Sequence, residues 1–321
     1  MSNLFYTAEL SYGRISPPLK GGNYMKAIYE KARSFVYRNA RPLDFARWRY
    51  LFEGGSSEAV LEVLKHYQNP DGGFGHGIEA DCLNPGSAPL PTWTATTILR
   101  ELEIFDPTNP IVAGIVRYLE SGLHFDGYRW IWTVPGNNDY PHAPWMHYDG
   151  PGFAAGEYNP TAALAGWLLR VTGSSFARKL VDNSLEHFYS GDLELQHELP
   201  CYLSLYRDLL EVDGSSPALE KLKAELDEMV SASVSSSADK WNSTYCARPT
   251  DFVSGNNDPF YSGCKELADR ERLFIASTQL EDGAWPVTWN WGCYPDDFAI
   301  SRRHWQSVII IRYISFLKRT Q

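Results

Sequence analysis

The chain has 321 residues, 44% hydrophobic and 14% aromatic, with 11 Trp and 19 Tyr and a formal net charge of −10. That is enough apolar content for one large core or two smaller ones, while the negative charge argues against a nucleic-acid backbone as partner. Five widely spaced cysteines without a CxxC pair favour a reducing cytoplasm over a disulfide scaffold, and no apolar run reaches the roughly 18 residues a membrane span needs.

Residues 1–24 show no helical period and lack the apolar stretch of a signal peptide, so they read as a poorly structured extension. Lys20-Gly21-Gly22 would be encoded by purine-rich codons resembling a bacterial ribosome-binding site, which makes Met25 the expected start of translation. Residues 25–321 show no composition shift and are expected to form a single domain.

Apolar residues three and four apart predict helices over 25–39, 43–52, 56–67, 92–102, 110–123, 160–171, 175–189, 199–210, 217–234, 264–278 and 301–318. Pro42 suits a first helical position, and Ser56 or Ser57 a cap. Ser235-Ser236-Ser237 marks a break. Residues 79–91 read as a polar loop, and 289–299 as a loop interrupted by Pro295. The helical period is lost over 127–158, where Tyr128-Arg129-Trp130-Ile131-Trp132-Thr133 reads as a short strand or an extended segment. Gly136-Asn137-Asn138-Asp139 follows, with a partial echo at Gly255-Asn256-Asn257-Asp258. Irregular stretches this long inside a helical protein are usually functional.

Two turns punctuate this rhythm: Gln68-Asn69-Pro70-Asp71-Gly72-Gly73-Phe74-Gly75 and Gln279-Leu280-Glu281-Asp282-Gly283-Ala284-Trp285-Pro286. One shift of 211 positions (279 less 68) relates Gln68 to Gln279, Phe74 to Trp285, Cys82 to Cys293 and Trp93 to His304. Asp-Gly is a turn signal. The Gln is expected to bond free backbone groups at the next helix start, and the aromatic to plug the gap between helical hairpins. The repeat predicts stacked hairpins.

This motif resembles the QW repeat of squalene–hopene cyclases and the related turn of protein prenyltransferase β subunits. The resemblance implies an all-α fold, an α/α toroid with an inner and an outer ring of helices. The families' catalytic signatures are missing. Cys293 and His304 have no Asp-x-Cys partner for a zinc set, and Asp296-Asp297 is the nearest approach to Asp-x-Asp-Asp. Gln279 to Pro286 also resembles the Gln-x-x-x-Gly-Gly-Trp-Pro turn of toroidal pectate lyases, with Trp130, Trp132, Trp145, Trp289 and Trp291 as potential sugar platforms.

In such a fold the loops before inner helices line one mouth. Asp139 and His142 are therefore the expected acid/base pair, with Asp81 orienting or sharing the proton. His76, Glu79, Trp93, Trp145, Asn159, Asp296, Asp297 and His304 are the expected substrate-binding residues. Asp149 and Asp258 are further candidates, whereas His66, His187 and His197 read as ordinary helix residues. His76, Asp81, Asp139 and His142 offer metal donors but match no ligand spacing, so neither metal nor cofactor is expected. The implied protein is a cytoplasmic cyclase- or prenyltransferase-like enzyme. It works on a small hydrophobic, isoprenoid-type molecule by carboxylate and His acid–base chemistry. A carbohydrate lyase or glycosidase and a non-enzymatic binding protein are the alternatives.

Overall fold

The computed structural model describes residues 22–150, 158–191, 193, 196–234, 238–241 and 243–320. The expected extension falls largely outside these, as does the Ser235-Ser236-Ser237 break, whereas Met25 lies within the first helix. Residues 22–24 belong to the first helix, and Tyr24 donates its hydroxyl to the Ala276 carbonyl.

Among the described residues the chain is all-α, with isolated β-bridges and no strand. The 128–133 segment forms no strand: it is bent, and its bridge partner is Phe125, paired with Trp130. The α-helices are α1 (Gly22–Asn39), α2 (Pro42–Glu53), α3 (Ser57–Leu64), α4 (Pro89–Glu101), α5 (Pro110–Glu120), α6 (Thr161–Thr172) and α7 (Ser175–Ser190). They continue with α8 (Glu198–Asp213), α9 (Pro217–Ser233), α10 (Ala238–Trp241), α11 (Pro249–Phe252), α12 (Lys265–Ser277) and α13 (Pro295–Arg319). None is long and apolar enough to cross a membrane.

Local chemistry sets the ends. Ser56, Asn109, Ser174 and Ser216 each cap the helix that follows by accepting a backbone N–H. Gly54 and Gly173 close α2 and α6 in the left-handed region. Two helices start earlier than the breaker reading of proline predicts. Pro89 opens α4 and Pro295 opens α13, because a first-turn proline loses no intrahelical bond.

Side-chain burial sorts the helices. The helix α2 packs on α13, α6 on α4 and α8, α8 on α11, and α11 on α13. Arg47 of α2 reaches Glu101 of α4 at 3.0 Å, joining the remaining pair. The neighbours thus run α2, α4, α6, α8, α11, α13 and back to α2. Against them lie α3 on α2, α5 and α7 on α6, α9 on α8, α12 on α11 and α13, and α1 on α13 and α2. One buried cluster from Ile28 to Leu317 threads these helices, with Trp48, Trp167, Tyr202 and Phe316 among its largest members. Polar bridges join several of these helices: Arg100 of α4 donates to Asp208 of α8 and to the Ala163 carbonyl of α6, and Arg312 of α13 pairs with Asp251 of α11.

Both turn motifs adopt one conformation. Gly72 and Gly283 have φ of 98° and 97°, Asp71 and Asp282 accept from the residue two ahead, and Phe74 and Trp285 are buried. A third, unpredicted copy precedes α6. Asp126 accepts from Tyr128 N at 2.9 Å, Gly127 has φ of 105°, and Trp130 is the buried plug. Trp130 N bonds Thr161 Oγ1 at 3.0 Å, as Phe74 N bonds Thr92 Oγ1 at 3.1 Å. This copy lacks the Gln and is one residue longer between Asp and aromatic, which hides it in the sequence.

Candidate active site

The loop between the first turn and α4 carries Glu79 and Asp81. Its backbone is fastened to the 141–143 segment: Ala143 N bonds Asp81 O at 2.8 Å, and Leu83 N bonds Pro141 O at 3.0 Å. Ser301 of α13 donates to the Ala80 carbonyl at 2.6 Å. Loop, irregular stretch and last helix are therefore held together around Asp81.

The Asp81 carboxylate is buried and collects indole N–H groups. Trp291 and Trp305 donate to Oδ1 at 2.9 and 2.8 Å, and Trp145 donates to Oδ2 at 3.3 Å. Burial pushes the Asp81 carboxyl above its ordinary range, and these indoles oppose the rise by stabilising the charge. Glu79 is two residues away, accepting from Thr94 Oγ1 at 3.3 Å. Burial, then the Asp81 charge, pushes Glu79 up to about 7. Two carboxyls this close cannot both ionise cheaply, so the pair titrates as a unit and keeps a proton near neutrality.

Beside the pair lies a second small core of Cys82, Leu90, Ala143, Met146, Trp291 and Phe298, with Trp93, Trp132 and Trp289 packed on it. Aromatic contacts close into a circuit. Trp132 meets His197 at 6.3 Å, His197 meets Tyr245 at 6.0 Å, Tyr245 meets Trp289 at 5.6 Å, and Trp289 meets Trp305 at 5.1 Å. Trp305 bonds Asp81, Asp81 bonds Trp145, and Trp132 Nε1 donates to the Trp145 carbonyl at 3.2 Å. The loops before α4, α6, α8, α11 and α13 each contribute. A groove of about 360 Å³ borders this cluster through Phe298, lined also by Asn290, Cys293 and Arg302; neither Glu79 nor His142 lines it.

Of the expected catalytic residues, Asp81 sits at the centre but the Asp139–His142 pair is not formed. Asp139 is exposed at the end of a 3₁₀ turn. His142 is buried with both ring nitrogens engaged, Nδ1 on the Tyr140 carbonyl at 2.6 Å and Nε2 on His147 Nδ1 at 3.1 Å. The reason is local: 141–143 runs alongside 81–83, which turns the ring toward its own loop.

The expected binding residues divide. Glu79, Trp93 and Trp145 join Asp81. His76 is exposed and bonds Asn69 Oδ1 at 3.0 Å. Asn159 accepts from Cys201 Sγ at 3.5 Å beneath α6. Asp296 and Asp297 occupy the first turn of α13, where a carboxylate complements the helix dipole. His304 is the tenth residue of α13 whereas Trp93 is the fifth of α4, because α13 begins earlier in its repeat. Burial, then Arg41, lowers the His304 pKa. Asp149 is exposed, and Asp258 is a structural partner of Arg207 at 2.9 Å. Among the described residues no three His, Cys, Asp or Glu side chains are grouped to hold a metal ion.

Sequence reading missed Trp305, Tyr245 and His197 as members of the circuit. Only the indole and imidazole types were visible, and the ring closes across residues far apart in the chain. Compared with protein-family models, curated proteins and solved structures, the chain finds no match in any of the three.

Proposed function

We propose that the chain is an α/α toroid enzyme of cyclase- or prenyltransferase-like architecture that moves a proton on a small hydrophobic, isoprenoid-type substrate. The cyclic order of helix contacts supports the toroid. The observation that carries the chemistry is the Glu79–Asp81 pair, one member held near 7, set beside the aromatic circuit.

In this reading Glu79 is the general acid. Its proton is available near neutrality, where proton transfer is most effective. Ionised Asp81, fixed by three indoles, keeps that proton on Glu79. The surrounding rings bind the apolar body and stabilise positive charge that develops on it. His142 supports the loop.

Purified protein is to be incubated with isoprenoid and oligosaccharide libraries and the products followed by mass spectrometry. Turnover is expected from the first library, and Glu79→Gln and Asp81→Asn should each lower it about 10²–10⁴-fold with the fold intact by circular dichroism. Undiminished turnover by both variants, or none by wild type, overturns the reading. A carbohydrate-active alternative is favoured by one observation: Trp145 and Tyr245 are 43% and 52% exposed on the circuit, as sugar-stacking platforms are. Turnover confined to the second library would select it.

A further inference from the structure

A carboxylic acid has one proton and two oxygens, and the partners of Glu79 tell the two apart. Oε1 faces the Asp81 backbone N–H at 3.4 Å, a donor, so Oε1 is the oxygen that accepts. Oε2 lies 3.3 Å from Thr94 Oγ1 in α4, a hydroxyl that both donates and accepts. The neutral acid therefore carries its proton on Oε2 and gives it to Thr94. Thr94 has one proton of its own and a second acceptor for it, the Leu90 carbonyl, also at 3.3 Å. Neutral Glu79 leaves that proton on Leu90, the usual bond of a helical threonine to the turn before it. Ionised Glu79 draws it to Oε2. Thr94 thus has a partner in both states, and its two bonds to Glu79 run in opposite directions.

We infer that Thr94 is the positioning residue of the acid: it aims the Glu79 proton from Oε2 and, once that proton has left, turns its own hydroxyl onto the new carboxylate. This rests on Glu79 being the general acid of the proposed site. A bond to an ionised carboxylate is roughly twice as strong as one between neutral groups. The contact therefore tightens as the proton departs, and contacts of that kind favour transfer. The other groups around Glu79 cannot make this exchange. Burial and the Asp81 charge raise its pKa and Arg41 lowers it, but Arg41 is held by Asp44 at 2.6 Å and by the Gly77 carbonyl at 2.8 Å. Glu79, Trp93 and Thr94 are half-buried and Thr97, nearly one turn on, is exposed, so this side of α4 opens to solvent.

Infrared difference spectra of the full chain against its Glu79→Gln counterpart follow the protonated Glu79 band through a pH titration. Thr94→Val keeps the shape of the side chain and deletes the hydroxyl. The Glu79 midpoint should then move up by about one pH unit, the mark of a tenfold change in proton affinity. Thr94→Ser restores the hydroxyl and should return the midpoint to its wild-type position. Thr97→Val removes a hydroxyl of the same helix that bonds the Trp93 carbonyl at 3.1 Å, and it should leave the midpoint in place. Circular dichroism checks each fold, and Thr94→Ala replaces a Val variant that does not fold. The titration needs no substrate, so it is decided separately from the library screen. A midpoint unmoved by Thr94→Val, not restored by Thr94→Ser, or moved as far by Thr97→Val would overturn the inference and leave Glu79 as the acid. A wild-type midpoint near the ordinary 4.5 would overturn both.

Discussion

Gln68 and Gln279 make the same pair of hydrogen bonds at opposite ends of the chain. Each Nε2 donates to the glycine carbonyl of its own turn, Gly72 O and Gly283 O, both at 2.9 Å. Each also donates to a helix carbonyl, Ile111 O in α5 and Ile28 O in α1, both at 3.0 Å. The chain places α5 directly after α4, the helix that follows the first turn. At the second turn the acceptor helix is α1, from the other end of the described residues, which packs on α13, the helix after that turn. The acceptor is a carbonyl, whereas sequence reasoning placed free N–H donors there; an amide NH₂ needs an acceptor.

Gln279 should therefore stabilise the junction between the two ends of the chain. Gln279→Leu removes two bonds and leaves the Gly283 and Ile28 carbonyls without this donor, at a cost of roughly 1–3 kcal/mol. Gln68→Leu, joining neighbours in sequence, should cost a similar amount. Urea denaturation gives both numbers, and a change below about 0.5 kcal/mol in either would mean that water replaces the amide.

The aromatics of the two turns are plugs. Phe74 is 0% exposed and Trp285 1%, with Trp285 Nε1 donating to Ile275 O at 2.9 Å. Truncation to Ala leaves a cavity, and each variant should lose roughly 3–5 kcal/mol in urea melts. The turn glycines are equally constrained. A Cβ on Gly283 would sit 2.1 Å from Lys31 O, and one on Gly72 1.9 Å from Gly114 O, at a φ that disfavours any side chain. Gly283→Ala should destabilise by more than about 1 kcal/mol; an unchanged melting curve would contradict the close approach.

Much of the helical framework was legible because helices repeat locally: apolar spacing, Ser and Asn caps and Asp-Gly turns are each visible within a few residues. Pro89 and Pro295 were misread because a proline that ends one helix and one that opens another look alike without the neighbouring carbonyls. At the site, Asp81, Glu79 and Trp145 were legible as polar and aromatic residues without helical period. The roles were not. Asp139 and His142 are three apart in sequence, yet backbone pairing with 81–83 separates them. Trp291 and Trp305 reach Asp81 from more than two hundred residues away.

Stability should fall as pH rises past Glu79. Its folded-state pKa, about 7, lies above the ordinary 4.5, so the native state holds this proton more tightly than the unfolded chain does. Stability from this group is complete below about 4.5 and lost as pH rises through 7. Glu79→Gln removes the penalty. Relative to wild type the variant should gain roughly 1–3 kcal/mol between pH 5 and pH 8, read from urea midpoints across that range. Glu271, also pushed to about 7 by burial, is present in both proteins and cancels in the comparison. A pH-independent difference would show that Glu79 titrates normally.

Removing an indole from Asp81 should have a pH dependence of the opposite sign. Trp305→Phe keeps an aromatic ring and deletes the 2.8 Å donor to Oδ1. An ionised carboxylate loses a charge-assisted bond, about 1.5–3 kcal/mol, whereas a protonated carboxyl needs fewer donors. The variant should therefore be most destabilised at alkaline pH and approach wild type as acid neutralises Asp81, whose carboxyl rises further once the indole is gone. Trp145→Phe deletes the longer 3.3 Å bond and should show the same trend more weakly. Infrared titration of the carboxyl band, run beside the melts, separates this from a packing defect: lost packing lowers stability equally at every pH and leaves the band in place. Equal destabilisation at pH 4 and pH 8 with an unmoved band would mean that Asp81 carries its proton throughout, and the division of labour with Glu79 would then be reversed.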